Sequence, residues 1–141
     1  MDNEKLCKKV REYVGDVSNL SAFFFEAADT ERRMAGVRMG SIKSCWPDYP
    51  EEVNLAFGYN PTEVKLAKAS PGAITRYDLA LELSMMLSVD DRKIVWAAAH
   101  SGARRQRGPA WKRISKYLHM HPGTVKRKFE RAMLTLWFKM L

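Results

Sequence analysis

Apolar residues in this chain recur at intervals of three and four and nowhere alternate over a sustained stretch, a pattern that helices can bury and strands cannot. β-branched residues are few, and no Asn-Gly hairpin dipeptide separates the apolar segments. The expectation is an all-α fold. With 141 residues, 46% of them hydrophobic, the chain can bury one real core with room for a small second unit.

Glycine, proline and capping residues divide the chain. Asp2 or Asn3 is expected to cap a first helix running to about Val14, with Leu6, Val10, Tyr13 and Val14 inward and Gly15 as its stop. A second helix from Ser18 to Ala35 turns Leu20, Phe23, Phe24, Ala27 and Ala28 to the core before Thr30, Glu31, Arg32 and Arg33 return it to water. Gly36, Gly40, Pro47 and Pro50 mark a long loop anchored by Trp46. A short helix begins at Pro50, with Glu51 and Glu52 at its positive end and Val53, Ala56 and Phe57 inward, and Gly58 ends it. One helical turn is expected between Pro61 and Ala69. Ser70-Pro71 reads as cap and first residue of a helix to Leu87, its face made by Ile74, Tyr77, Leu81, Met85 and either Leu83 or Met86. Asp90 and Asp91 cap the next, with Ile94, Val95, Ala98 and Trp96 inward and Gly102 at its end. A basic connector, 103–109, leads to a short helix over 110–118, a turn at 119–121, and a final helix from Pro122 to about Met140. These boundaries group the chain as N-terminal helices (1–36), a helical platform with a long loop (37–87) and a C-terminal helix-turn-helix unit (88–141).

Charge is divided along the same line. Residues 91–141 hold 13 Lys or Arg against Asp91 and Glu130, a net of +11, whereas residues 1–90 hold 11 against 14 acids, a net of −3. A basic helical end joined to a mildly acidic remainder suits docking on phosphate at one end and on protein at the other. The longest apolar runs, 22–25 and 134–138, fall far short of the about 20 residues that cross a bilayer, and the first ten residues lack a signal-peptide core. A cytoplasmic, nucleoid-associated protein with no membrane partner is expected. Cys7 and Cys45 lie 38 residues apart and read as reduced thiols. His100, His119 and His121 lack a completing carboxylate or thiol, so no metal is expected. Nothing supplies a Gly-rich phosphate loop or a nucleophile motif; Glu51-Glu52 read as helix-dipole charge and Asp78 and Glu82 as surface or ion-pair residues. We therefore expect no enzyme, no cofactor and no small-molecule substrate.

Ile114, Leu118, Met120, Val125, Phe129 and Leu136 have the spacing of a helix-turn-helix: a short helix, a turn with an apolar middle residue, and a longer helix. If Met120, Ile114 and Val125 share one small core, one face of the last helix stays free, and on it lie Gly123, Thr124, Arg127, Lys128 and Arg131, flanked by Lys126. Arg reads guanine through N7 and O6, and Thr bonds bases or touches a thymine methyl, so Thr124 and Arg127 are the candidates for base edges. Lys126, Lys128 and Arg131, with Arg104, Arg105 and Arg107 of the connector and Lys112, Arg113 and Lys116 of the preceding helix, are candidates for phosphates.

The segments LSVDDRKIVWAAAHSGA (87–103) and AWKRISKYLHMHPGTVKRKFERAMLTL (110–136) resemble the fourth, promoter −35-reading region of bacterial sigma factors, including its acidic-capped helix and an Arg131-Ala132-Met133 tail. That turn commonly offers Gly where this chain has His119, which must then take a left-handed backbone. The connector 103–109 also lengthens the link to the motif. Over about residues 28–141 the Trp-Pro pair, the SPGAI helix start and DDRKIVW are similar to a family of phage-like and bacterial proteins that includes activators of gene transfer agent clusters. The resemblance implies a transcription activator acting on double-stranded DNA with RNA polymerase or a co-activator.

Trp137, Phe138, Met140 and Leu141 wrap around the last helix further than one small core covers, and are candidates for a protein partner. Phe23, Phe24 and Phe25 raise the same question, because three adjacent aromatics cannot share one side. The leading expectation is a sequence-specific DNA-binding transcription regulator. Its competitors are the small DNA-recognition subunit of a phage packaging terminase, distinguished by a ring of many subunits, and a module whose basic face meets acidic protein, distinguished by salt-resistant binding with no shift of duplex.

Overall fold

The computed structural model describes residues 3–34, 68–105 and 107–141. Among them it is all-helical, with no strand: α1 (Asn3–Val14), α2 (Val17–Arg33), α3 (Pro71–Ser84), α4 (Val89–Ala103), α5 (Trp111–Leu118) and α6 (Pro122–Met140). Asp2, Cys45, the Trp46 loop and the elements expected from Pro50 and Pro61 to residue 67 lie outside the described residues.

Local chemistry sets the helix starts. Gly15 adopts φ +69°, which ends α1, and Asp16 immediately caps α2 by accepting from the Val17 N–H at 2.6 Å. The start therefore falls one residue before Ser18, whose hydroxyl instead donates to the same carboxylate at 3.1 Å. Ser70 caps α3 by accepting from Ala73 N–H at 3.2 Å, with Pro71 in the first turn, as the dipeptide leads one to expect. The cap of α4 is Ser88, which accepts from the Asp91 N–H at 3.2 Å and donates to the Asp91 carboxylate at 2.8 Å. Asp90 and Asp91 stand in the first turn and oppose the helix dipole there rather than capping.

One buried cluster runs through all six helices. α2 lies across its middle, packed on α3 and α4 and touching α1 and α6. From α1 it takes Leu6, Cys7, Val10 and Val14, whereas Tyr13 is 55% exposed, with the Arg76 guanidinium 6.0 Å from its ring centre. Arg76 in turn donates to Glu26 of α2 at 2.6 and 2.9 Å, a bond that raises the guanidinium pKa further. The inward face of α3 is Leu79, Ala80, Leu83 and Ser84, not the expected stripe through Leu81 and Met85, which point outward. α3 is covered from two sides, by α1 and α2, and its apolar residues nearly encircle it, so periodicity alone does not select a face. The helix also ends three residues early, at Ser84, passing into tighter turns at Met85 to Leu87, and Arg92 of α4 donates to the carbonyls of Ser84, Met85 and Leu87 at 3.0, 3.4 and 3.3 Å.

The three adjacent phenylalanines of α2 are all absorbed internally. Phe23 and Phe24 are buried, and Phe24 meets Trp96 of α4 edge-on at 5.7 Å. Phe25 stacks on Phe129 of α6, centroids 6.5 Å apart and planes within 6°. Gly102 gives this ring its space: a Cβ there would lie 3.1 Å from the Phe25 ring. Gly102 is thus an interior residue of α4 and not its stop; the helix runs on to Ala103. No described helix is long and apolar enough to cross a membrane.

Candidate nucleic-acid interface

α5 and α6 are joined by three residues, each with its own job. His119 ends α5 at φ 53°, ψ 42°, the left-handed backbone that its place in the turn demands of it. Its N–H and that of Met120 both reach the Ser115 carbonyl, the latter at 3.0 Å. Met120 packs half-buried against the core. His121 caps α6: its ring Nδ1 accepts from the Gly123 N–H at 3.2 Å, and its carbonyl accepts from Thr124 and Val125 at 3.0 and 3.1 Å. Pro122 opens the helix, where a missing N–H costs nothing. His100, the third histidine, sits with Nε2 3.2 Å from Glu31 Oε2 and leans on Trp96. Among the described residues, no three His, Cys, Asp or Glu come together as a metal-holding group.

Met120, Ile114 and Val125, expected to share one small core, instead join the single cluster that runs through all six helices, together with Leu118, Phe129 and Leu136. Ile114, Val125, Phe129 and Leu136 are buried, and Leu118 and Met120 are half-buried against them. Phe129 is gripped from two sides, by Phe25 and by Trp111 of α5 at 5.5 Å. The inner side of α6 is thereby locked, and its rotation about its own axis is set by α2 as well as by α5.

The outer side carries the charge. Lys126, Arg127, Lys128 and Arg131 are exposed on α6, as are Lys112, Arg113 and Lys116 on α5 and Arg104, Arg105 and Arg107 between α4 and α5. Among the described residues none of these ten is paired with a carboxylate, although Arg127 Nε donates weakly to the Gly123 carbonyl at 3.3 Å. Thr124 is half-buried in the first turn of α6. A groove of about 570 Å³ runs between the first turns of α5 and α6, where Arg105, Lys112, Arg113 and Lys126 surround Trp111 and Pro122. α5 has no side-chain cap at Ala110, so its positive end opens toward these cations unneutralised. Such an arrangement can hold the oxygens of a phosphodiester chain by charge-assisted bonds.

Two cations of the C-terminal third have other work. Arg92 closes the end of α3, and Lys139 Nζ donates to the Met86 carbonyl at 2.6 Å. The expected partner patch is also smaller than its sequence suggests. Met140 is 1% exposed, covered where α6 meets α1 and the Cys7 thiol approaches the Lys139 carbonyl, so it belongs to the core and offers no surface. Trp137 is half-buried against the same core, while Phe138 and Leu141 are exposed. Leu134, half-exposed, lies on the Phe138 face and was not singled out by composition. Tyr117, 81% exposed on α5, is a further surface aromatic.

No curated protein and no solved structure matches the chain. The family described as Domain of unknown function (DUF6362) matches residues 32–136, well over half of the chain, and the chain belongs to that family.

Proposed function

We propose that the chain is a sequence-specific DNA-binding transcription regulator whose α5 and α6 form a helix-turn-helix, with α6 entering the major groove. Thr124 and Arg127 meet base edges. Lys126, Lys128 and Arg131, with Lys112, Arg113 and Lys116 of α5 and Arg104, Arg105 and Arg107 of the connector, hold phosphates on either side. The observation that carries this reading is the division of α6 into an inner side packed on Phe25 and Trp111 and an outer side on which Lys126, Arg127, Lys128 and Arg131 outnumber the one exposed carboxylate, Glu130. The resemblance to sigma region 4 and to gene transfer agent activators adds the direction: activation, with RNA polymerase or a co-activator as protein partner, on phage-like genes in the nucleoid. No effector is required.

Fluorescence anisotropy with a labelled duplex tests the reading. Six phosphate contacts give a slope of log affinity against log salt near −5, from about 0.9 per phosphate. Binding selected sequences above random duplex supports sequence reading; no duplex binding in low salt overturns it.

A further inference from the structure

We infer that a second copy of this chain docks on the outer face of α3 with the outer face of its own α6, so that the protein associates head to tail. The exposed side of α3 carries Asp78, Leu81, Glu82 and Met85, continued past the corner by Val89 and Asp90. Asp78 and Glu82 have no cationic partner within the chain among the described residues, and Met85 and Val89 are 66% and 61% exposed. The exposed side of α6 carries Arg127 and Arg131 and then Leu134, Phe138 and Leu141, the last two 69% and 71% exposed.

The two faces match in order as well as in sign. Asp78, Glu82 and Met85 follow one another at steps of four and three residues, and Arg127, Arg131 and Leu134 repeat those steps. Residues at such spacing line one side of a helix. Parallel packing therefore sets Arg127 beside Asp78, Arg131 beside Glu82 and Leu134 beside Met85, with Phe138 reaching toward Val89. The antiparallel arrangement can also set Asp78 and Glu82 beside Arg131 and Arg127, but it carries Met85 and Leu134 to opposite ends of the contact, so the parallel one alone matches charge and apolar side chains together. Because the two faces differ, each docked pair still presents one free α3 and one free α6, and the contact propagates. Three or four side chains on each partner make a small interface, of the weak and transient class.

The same outer face of α6 bears Arg127 and Arg131, so a duplex and a second copy exclude one another; that consequence alone rests on the proposed DNA reading. Sedimentation without nucleic acid tests the contact by itself, from about 10 μM to about 1 mM, the range in which weak interfaces dissociate. The expected result is a mean mass that rises above the 16.2 kDa of one chain and falls back in about 1 M salt, where screening shortens to about 3 Å. Glu82→Arg and Arg131→Glu, both at exposed positions, each abolish the rise while leaving far-UV helicity unchanged. An equimolar mixture of the two variants restores it, since each then offers the other an opposite charge. A wild-type mass that stays at 16.2 kDa throughout, a rise that survives in either single variant, or a mixture that fails to associate overturns the proposal. Loss of duplex binding in the variants has no bearing on that outcome, and intact self-association with no duplex binding removes the DNA reading while leaving the contact.

Discussion

His119→Gly should stabilise the protein although it deletes a side chain. The residue sits at φ 53°, ψ 42°, exposed, and its ring makes no hydrogen bond among the described residues. A left-handed backbone costs a residue with a Cβ about 1 to 2 kcal/mol, with His at the tolerant end of that range. Glycine escapes this but gives up about 0.5 to 1 kcal/mol of extra chain freedom on folding. The difference is a gain near 0.5 kcal/mol. Valine provides the opposite sign, because a β-branched side chain at positive φ adds strain of about 1 to 2 kcal/mol beyond the wild-type residue. Thermal melts followed by far-UV circular dichroism should order the proteins glycine, wild type, valine. For a chain of this length the first step is about 1 to 3 °C and the second several degrees. Wild type melting above the glycine variant would refute the reasoning, since it would mean that the imidazole contributes a contact outweighing the backbone strain.

Arg127→Ala should cost about 1 to 3 kcal/mol at a cognate site and relax discrimination among duplexes, whereas equal loss on every sequence would move Arg127 to the backbone class. Arg104→Ala with Arg105→Ala should weaken binding to any duplex and flatten the salt slope by up to about two units; an unchanged slope takes the connector out of the interface. Arg92→Met keeps the aliphatic stem and removes the bonds to three carbonyls, so urea unfolding should show a loss of about 1.5 to 3 kcal/mol with no change in DNA affinity. A fragment of residues 88–141 should lack a cooperative melt and bind an apolar dye, because Phe25 no longer covers Phe129 and α2 no longer covers α4; a cooperative transition for the fragment would show that α4, α5 and α6 hold their core alone.

Where the sequence was legible, several local signals agreed. The turn at 119–121 is marked by an apolar middle residue, by Pro122, and by inward residues on both sides at matching spacing, whereas the cap that His121 supplies to α6 carries no such mark. Ser70-Pro71 speaks through sterics and one hydrogen bond, both local. The face of α3 was not legible, because apolar residues nearly all round a helix leave its orientation to neighbours distant in sequence. Gly102 reads alike whether glycine stops a helix or admits a ring, and the ring that decides belongs to α2. Helical spacing places Met140 on the surface, because its cover comes from α1, at the other end of the chain. Within the candidate interface, the positions of positive charge follow from composition and helical spacing. Their pairing does not: nothing local distinguishes Arg92 and Lys139, which bond carbonyls of the turn that ends α3, from Arg131, which is left to solvent.

That difference in pairing also links the two faces of the molecule. Glu26, Asp29 and Glu31 of α2 are engaged by Arg76, by Arg32 and Arg33, and by His100, so the carboxylates nearest the middle of the fold are already matched. They are not available to the ten cations between Arg104 and Arg131, which repel one another across separations that physiological salt screens over about 8 Å. A surface of that kind carries an electrostatic cost in the isolated chain, relieved by whatever brings ordered negative charge against it. A duplex supplies one phosphate for about every 1.7 Å of its axis and relieves the whole surface at once. The unpaired Asp78 and Glu82 of another copy relieve only the α6 portion, over a small area, and no contact with the connector or α5 follows from it. On the two readings proposed above, a duplex and a second copy compete for α6, and adding duplex should lower the mean mass of a concentrated sample toward that of one chain plus DNA.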